Sequence, residues 1–428
     1  MHKQILRLAL PNIVTNITVP LLGMVDLAIV GRLGDTKYIG AIAIATMIFN
    51  MIYWLFGFLR MGTSGFTAQA YGAGDIKEAA DILLRSLLVG LSAAICLIVS
   101  QKPIIDLAMG IVSGSNELKA IARRYFFVNI WAAPALLSMY SFKGWFIGMQ
   151  NSKIPMAIAI VINVVNIGMS CMFVFVFKFD IEGVALGTVI AQYIGLGMAV
   201  CFFLKRYGSI VKMINITRSI VWSRMRQFFR VNFDIFLRTI CLIAVFSFFP
   251  IAGSRFGDDT LAVNTLLMQF FTLFSYIMDG FAYAGEALTG RFIGAGDKVL
   301  LRSSIRVNFM LGICLTLAFT IIYAFGGEYL LLLLTDKQHI IDMSAQYYWW
   351  VLLVPIAGFS AFIWDGIFIG ATASRAMLYA IAIATALFFA IYISFVHFWG
   401  NNSLWLALIV FLAARGLGQT VLARRNVF

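Results

Sequence analysis

Residues 20 to 31 read PLLGMVDLAIVG, with one carboxylate, Asp26, inside an apolar run that continues on both sides. A charged side chain at the centre of a membrane helix costs roughly 2.5 to 3.5 kcal/mol on insertion scales, so something must offset it. Two readings do. In one, Asp26 is hydrogen-bonded to a neighbouring helix and serves packing. In the other, it gains and loses a proton, or binds a cation, as access to it alternates between the two sides. A short polar array follows further along. Asn163 and Asn166 are three residues apart, so they share a helix face, and Ser170 comes one turn later. Asn in a membrane helix also simply holds helices together. Thr188 equally serves to back-bond to its own helix.

The second half of the chain carries a different set. Asp279, Tyr283 and Glu286 fall at i, i+4 and i+7, which places two carboxylates and a phenol on one helix face. Asp365 follows Trp364, and an acid beside an aromatic ring suits a cationic ligand. Each has an ion pair as its ordinary alternative: Glu286 with Arg291, or Asp234 with Arg230 or Arg238 at i±4. Pro11 and Pro20 both precede Asp26. A proline inside a helix removes a hydrogen bond and bends the chain, so the first helix is expected to be bent, with freed carbonyls available to line a cavity.

The elements that must hold these residues follow from composition. The chain has 428 residues, 62% hydrophobic and 12% charged, with a mean hydropathy of +0.93. No water-soluble fold hides that much apolar surface. Crossing the hydrocarbon layer takes about 20 apolar residues per helix. Twelve such segments follow one another, at 5–31, 38–71, 80–101, 121–148, 154–177, 183–204, 223–252, 260–293, 300–325, 342–370, 375–398 and 403–423. A β-barrel would show alternating stretches of about ten residues, which these uninterrupted runs do not. The predicted fold is an all-α polytopic membrane protein of twelve transmembrane helices. The first run lacks a small-residue cleavage site and leads into further spans, so it reads as a retained helix and not as a signal peptide.

The formal charge of +13 lies mainly in alternate connections, as the positive-inside rule expects, which places both termini and the basic stretch 205–222 in the cytoplasm and argues against a nucleic-acid partner. The five cysteines sit inside predicted spans with no paired spacing, so they read as packing residues. His2, His339 and His397 lie at the terminus or near span ends, which leaves no metal or acid–base cluster in the membrane. The expectation is a protein with no metal, no cofactor and no enzymatic activity. No G-x-x-x-x-G-K-[ST] loop is present to drive it with nucleotide.

The chain is also written twice. FIGMQNSK (146–153) returns as FIGATASR (368–375) at a shift of 222 residues, TAQAYGAGD (67–75) matches TGRFIGAGD (289–297) at the same shift, and GRLGD (31–35) resembles GSRFGD (253–258) one register away. Three collinear matches point to a duplication of six helices. The expected organisation is a first lobe at 1–204, a cytoplasmic linker at 205–222 and a second lobe at 223–428. An even number of helices per copy places the pseudo-two-fold axis along the membrane normal. The charges are not duplicated. Phe249 stands roughly where Asp26 would recur, Ser64 answers Glu286, and Lys143 answers Asp365.

Four blocks, LALPNIVTNITVPLLGMVDLAIVGRLG, FLRMGTSGFTAQAYGAGD, MDGFAYAGEALTG and WDGIFIGATASR, stand in this order around the six-plus-six repeat. With them the sequence resembles the multidrug and toxic compound extrusion (MATE) family, in its DinF-like branch, over essentially the whole chain. The resemblance implies two six-helix lobes around a central cavity. It also implies an antiporter of the bacterial inner membrane that exports lipophilic, often cationic small molecules against inward H+ or Na+. It matches Asp26 to the first-lobe proton- or cation-binding aspartate, Pro11 to the bend of its helix, and Asn166 and Thr188 to positions that assist that site. Asn163 matches a cavity-lining position, and Asp365 resembles the acid of the tenth helix that some members use. Asp279, Tyr283, Glu286 and Ser170 are taken as further cavity residues. There is one departure: Ser170 stands where many relatives carry a second acid, which favours H+ at Asp26 and leaves Na+ as the alternative ion. One charge crossing 100 mV is worth about 2.3 kcal/mol, which supports substantial uphill export. The expected partners are these small molecules and membrane lipid, with the chain acting as a monomer. A flippase for a lipid-linked precursor is the alternative function. Its cavity needs arginines or lysines to hold pyrophosphate, whereas here the deep charges include Arg60 and Arg238 but acids dominate.

Overall fold

The computed structural model describes residues 1–31, 36–112, 115–211, 213 and 216–428. Arg32 and the rest of the GRLGD block, together with Lys212, lie outside the described residues. Twelve helical spans are long and apolar enough to cross a membrane: α1 (His2–Gly31), α2 (Lys37–Gly72), α3 (Ile76–Val99), α4 (Asn116–Gly148), α5 (Lys153–Val176), α6 (Ile181–Val211), α7 (Trp222–Phe256), α8 (Asp258–Gly294), α9 (Lys298–Leu334), α10 (Gln338–Gly370), α11 (Ser374–Trp399) and α12 (Asn401–Asn426). Each coincides with an expected segment, because an uninterrupted apolar run leaves the backbone no way to satisfy its N–H and C=O groups in lipid except a helix. No strand occurs among the described residues.

Five spans are not α-helical throughout; α6 is interrupted at Tyr207 and α7 ends in a 3-10 turn at Ser254–Phe256. In α2 the helix breaks between Leu55 and Phe58. In α4 the chain tightens into a 3-10 turn at Ile130–Ala132, just before Pro134 starts the next helical segment; proline cannot donate to the preceding turn, and the first turn is where its loss is tolerated. The last five residues of α5, Met172–Val176, form a π-helical turn. Between α3 and α4 runs a short helix, Gln101–Ile111, which but for Gln101 lies between the expected segments 80–101 and 121–148. Its Leu107 and Ile111 face outward, and eleven residues are too few to cross. Of the five cysteines read as packing residues, Cys171 and Cys241 are half-buried, while Cys96, Cys201 and Cys314 face outward from the helices.

The chain forms two compact units, Val14–Phe229, and Met1–Ile13 with Arg230–Phe428. The first residues of α1, which the sequence assigns to the first lobe, therefore count with the second half. A packing contact explains this: a methyl on Gly280 of α8 would sit 3.0 Å from the carbonyl oxygen of Ala9, so the two backbones nearly touch there. The division falls two residues after Pro11.

The repeat is visible inside each unit as the same close approach of two helices. A methyl on Gly144 of α4 would lie 2.3 Å from the Arg60 carbonyl oxygen of α2, and one on Gly148 would lie 2.8 Å from that of Ser64. At the same shift of 222 residues, Gly366 of α10 would meet the carbonyl oxygen of Ala282 at 1.9 Å and Gly370 that of Glu286 at 2.3 Å. The hairpin ends repeat too. Gly74 and Gly296 both adopt positive φ, 72° and 70°, and the Asp75 and Asp297 side chains accept from Glu78 N at 2.9 Å and Leu300 N at 2.8 Å, capping α3 and α9. These glycines and caps are why the GAGD and FIG blocks recur.

Candidate functional site

In the unit Val14–Phe229, the candidate polar residues of the first half stand on α1, α5 and α6. Asp26 is half-buried, and its Oδ1 is enclosed with no hydrogen-bond partner among the described residues. Tyr125 of α4 is buried within electrostatic reach of Asp26 and lies against Thr188 of α6. The Thr188 hydroxyl accepts from Asn166 Nδ2 at 2.8 Å and donates to the Val184 carbonyl at 3.2 Å. Asn166 is fully buried and its Oδ1 has no partner among the described residues. Thr188 thus joins Tyr125 of α4 and Asn166 of α5, Asp26 of α1 lies within electrostatic reach of Tyr125, and the Oδ1 atoms of Asp26 and Asn166 have no partner among the described residues.

Asn163 lies one turn away on α5 and does something different. Its Nδ2 donates at 3.0 Å to the carbonyl of Thr18, two residues before Pro20, and so ties α5 to the proline-containing stretch of α1. Ser170 shares the α5 face as expected, but is fully enclosed. Its Oγ has no partner and sits where a methyl on Gly187 would be only 2.4 Å away, so α5 and α6 are in close contact at this point.

In the other unit, α8 is continuous through Asp279, Tyr283 and Glu286. The three differ in exposure: Asp279 and Tyr283 are half-buried, while Glu286 is fully buried beside the close approach of Gly370. Asp365 of α10 is engaged on three sides. Arg238 of α7 and Arg415 of α12 both donate to its Oδ2, and Gln419 Nε2 donates to its Oδ1 at 2.6 Å. All four side chains are buried. Arg415 also stands over the Phe362 ring at 5.6 Å and within electrostatic reach of Asp279. Trp364, the aromatic neighbour of Asp365, turns to the Thr420 hydroxyl at 2.8 Å. The alternative of an ion pair therefore accounts for Asp365, and the partner Arg238 that the i+4 rule offered to Asp234 goes elsewhere. Asp234 instead accepts from Ser374 Oγ at 2.7 Å, at the start of α11.

Sequence reasoning passed over Tyr125, Arg415 and Gln419. Arg415 had a signal, since an ionisable residue inside an apolar span is a site by default. Tyr125 and Gln419 had none, because neither is costly enough in a span to stand out.

Comparison with known proteins identifies the family and the fold. The MatE family model matches the chain twice, over residues 11–172 and 235–395, once in each half. The DNA damage-inducible protein F of Escherichia coli is 37% identical over 99% of this chain and 92% of its own. A probable multidrug resistance protein NorM of Thermotoga maritima is 23% identical over 80% of this chain and 74% of its own. Among solved structures, an outward-facing multidrug resistance MATE family transporter superimposes with a TM-score of 0.85 at 19% identity, covering 99% of this chain and 95% of that one.

Proposed function

The chain belongs to the MatE family, whose members are membrane transporters and not enzymes, and from that premise we propose that it is a secondary antiporter exporting lipophilic, often cationic compounds in exchange for H+. The observation that carries this reading is the enclosed, unpartnered Oδ1 of Asp26. A carboxylate in an apolar setting with no cationic side chain bonded to it among the described residues is best neutralised by a mobile charge, and a proton needs no further ligands. Asn166, Thr188 and Tyr125 then hold the site, and Asn163 links it to the stretch of α1 ahead of Asp26. Pro11 is the bend that lets this helix change shape as the carboxylate gains and loses its charge. Asp279 and Tyr283, half-buried on α8, are the second-half groups best placed to meet substrate. In this reading the two six-helix halves act as the alternating lobes, the membrane is the bacterial inner membrane, and both termini are cytoplasmic.

A Na+-coupled variant draws support from the unpartnered oxygens of Asn166 and Ser170, which are ligands a hard cation accepts. The flippase reading is not favoured: two deep arginines, Arg238 and Arg415, both pair with Asp365, and one relative is named a probable multidrug resistance protein.

The test is efflux of a fluorescent lipophilic cation from proteoliposomes, with a pH gradient or a Na+ gradient imposed separately, for the native protein and Asp26→Asn. Export driven by the pH gradient and lost in the variant is the expected result. Export undiminished in Asp26→Asn moves the coupling site elsewhere.

A further inference from the structure

Residues 205–226 carry six basic side chains, Lys205, Arg206, Lys212, Arg218, Arg224 and Arg226, and no acid. The transport reading makes no use of them. Part of this segment is bound tightly to α3. Arg218 pairs with the fully buried Asp81 and donates through a second nitrogen to the Lys77 carbonyl at 3.1 Å. Arg85 Nε donates to the Ser219 carbonyl at 2.8 Å, while its other arm pairs with Glu78, also at 2.8 Å. Arg224 takes the remaining oxygen of Glu78. The two acids of α3 thus engage Arg218 and Arg224, Arg85 holds the Ser219 carbonyl, and Ser219 is fully buried.

This clamp has an outward consequence. With Ser219 held in, the next three residues are turned out: Ile220 is 51% exposed, Val221 44% and Trp222 74%. Trp222 is the first residue of α7, so it stands at a span end, the depth at which tryptophan rings anchor to the headgroup layer. Lys205, Arg206 and Arg226, which flank this tripeptide in sequence, are exposed.

We propose that this surface, Ile220–Val221–Trp222 with Lys205, Arg206 and Arg226, binds anionic phospholipid headgroups. An amphipathic ring at the start of α7, one turn before Arg226, together with Lys205 and Arg206 exposed in the last turns of α6, complements a negatively charged leaflet in both charge and depth. A soluble anion would gain the charges but nothing from the exposed apolar tripeptide, which is why a lipid is the fitting occupant. The site stands apart from Asp26 and from ion coupling.

The experiment is native mass spectrometry of the full-length protein in detergent, titrated with phosphatidylglycerol or with phosphatidylcholine. The native protein is expected to retain phosphatidylglycerol preferentially. A basic residue near an anionic surface is worth about fivefold in association, so Lys205→Gln with Arg206→Gln and Arg226→Gln should weaken that retention about a hundredfold and leave phosphatidylcholine unchanged. Trp222→Ser, with all charges intact, should weaken phosphatidylglycerol as well. Thermal unfolding in the same detergent checks that the variants are folded, and Arg226→Gln alone, with about a fivefold effect, stands in if the triple variant is not. Equal retention of the two lipids by the native protein, undiminished phosphatidylglycerol in the folded variants, or full displacement by glycerol 3-phosphate would each overturn the proposal.

Discussion

The side-chain amide of Asn166 donates to the hydroxyl of Thr188 at 2.8 Å, and that hydroxyl spends its own proton on the Val184 carbonyl at 3.2 Å. The amide's direction is fixed by this arrangement: its Nδ2 is used toward α6, and its Oδ1 has no partner among the described residues. Thr188 therefore orients Asn166 as well as joining two helices.

Replacing Thr188 by Val removes the acceptor and leaves the buried amide free to turn. A buried donor without its partner costs about 1 kcal/mol or somewhat more, moderated in membranes where alternative partners exist. Thr188→Val is expected to lose ion-driven export with only a small fall in thermal stability, while Thr188→Ser, which keeps the hydroxyl, retains both. Efflux assays paired with unfolding curves in detergent check this, and equal export by the two variants would reduce the contact to packing.

The Asp365 cluster predicts an asymmetry. Asp365→Asn leaves two buried guanidiniums, Arg238 and Arg415, facing each other without the carboxylate that both hold. Breaking such a buried pair costs about 3 to 5 kcal/mol. Arg415→Gln removes one cation but leaves Asp365 bonded to Arg238 and Gln419, and should cost less, about 1 to 3 kcal/mol. Thermal unfolding of the two variants in detergent measures the order, and an Arg415→Gln variant less stable than Asp365→Asn contradicts it.

The duplicated glycines make a sharper stability test. Gly144→Ala and Gly366→Ala both push a methyl into a facing backbone carbonyl, at 2.3 Å and 1.9 Å, where no side chain rotation gives relief. Each is expected to destabilise by about 3 kcal/mol, the upper end of overpacking, and to lower the yield of folded protein. Gly168→Ala on α5, with nothing within 4 Å, should instead raise stability by about 0.5 to 1 kcal/mol through helix propensity alone. Fluorescence-detected elution after heating reads all three.

Much of this protein is legible without coordinates. A run of apolar residues long enough to span hydrocarbon has one backbone solution, so the twelve helices and the all-α class follow from the sequence. The duplication is legible for a related reason. Gly144, Gly148, Gly366 and Gly370 are required wherever two helix backbones touch, so the same letters recur wherever the same contact does. Asp26 also stood out in the sequence, because an ion in lipid is costly whatever surrounds it.

Partner choice was decided only by the tertiary structure. The i±4 rule offered Arg238 to Asp234, yet Arg238 pairs with Asp365 across 127 residues of sequence, and Asp234 meets Ser374 across 140. Tyr125 enters the Asp26 group from α4, and Asn166 reaches Thr188 across 22 residues. Local spacing reports which residues share a face of one helix. Which face meets which depends on how helices far apart in the chain pack together, and that is set by shape and close contact along their whole length.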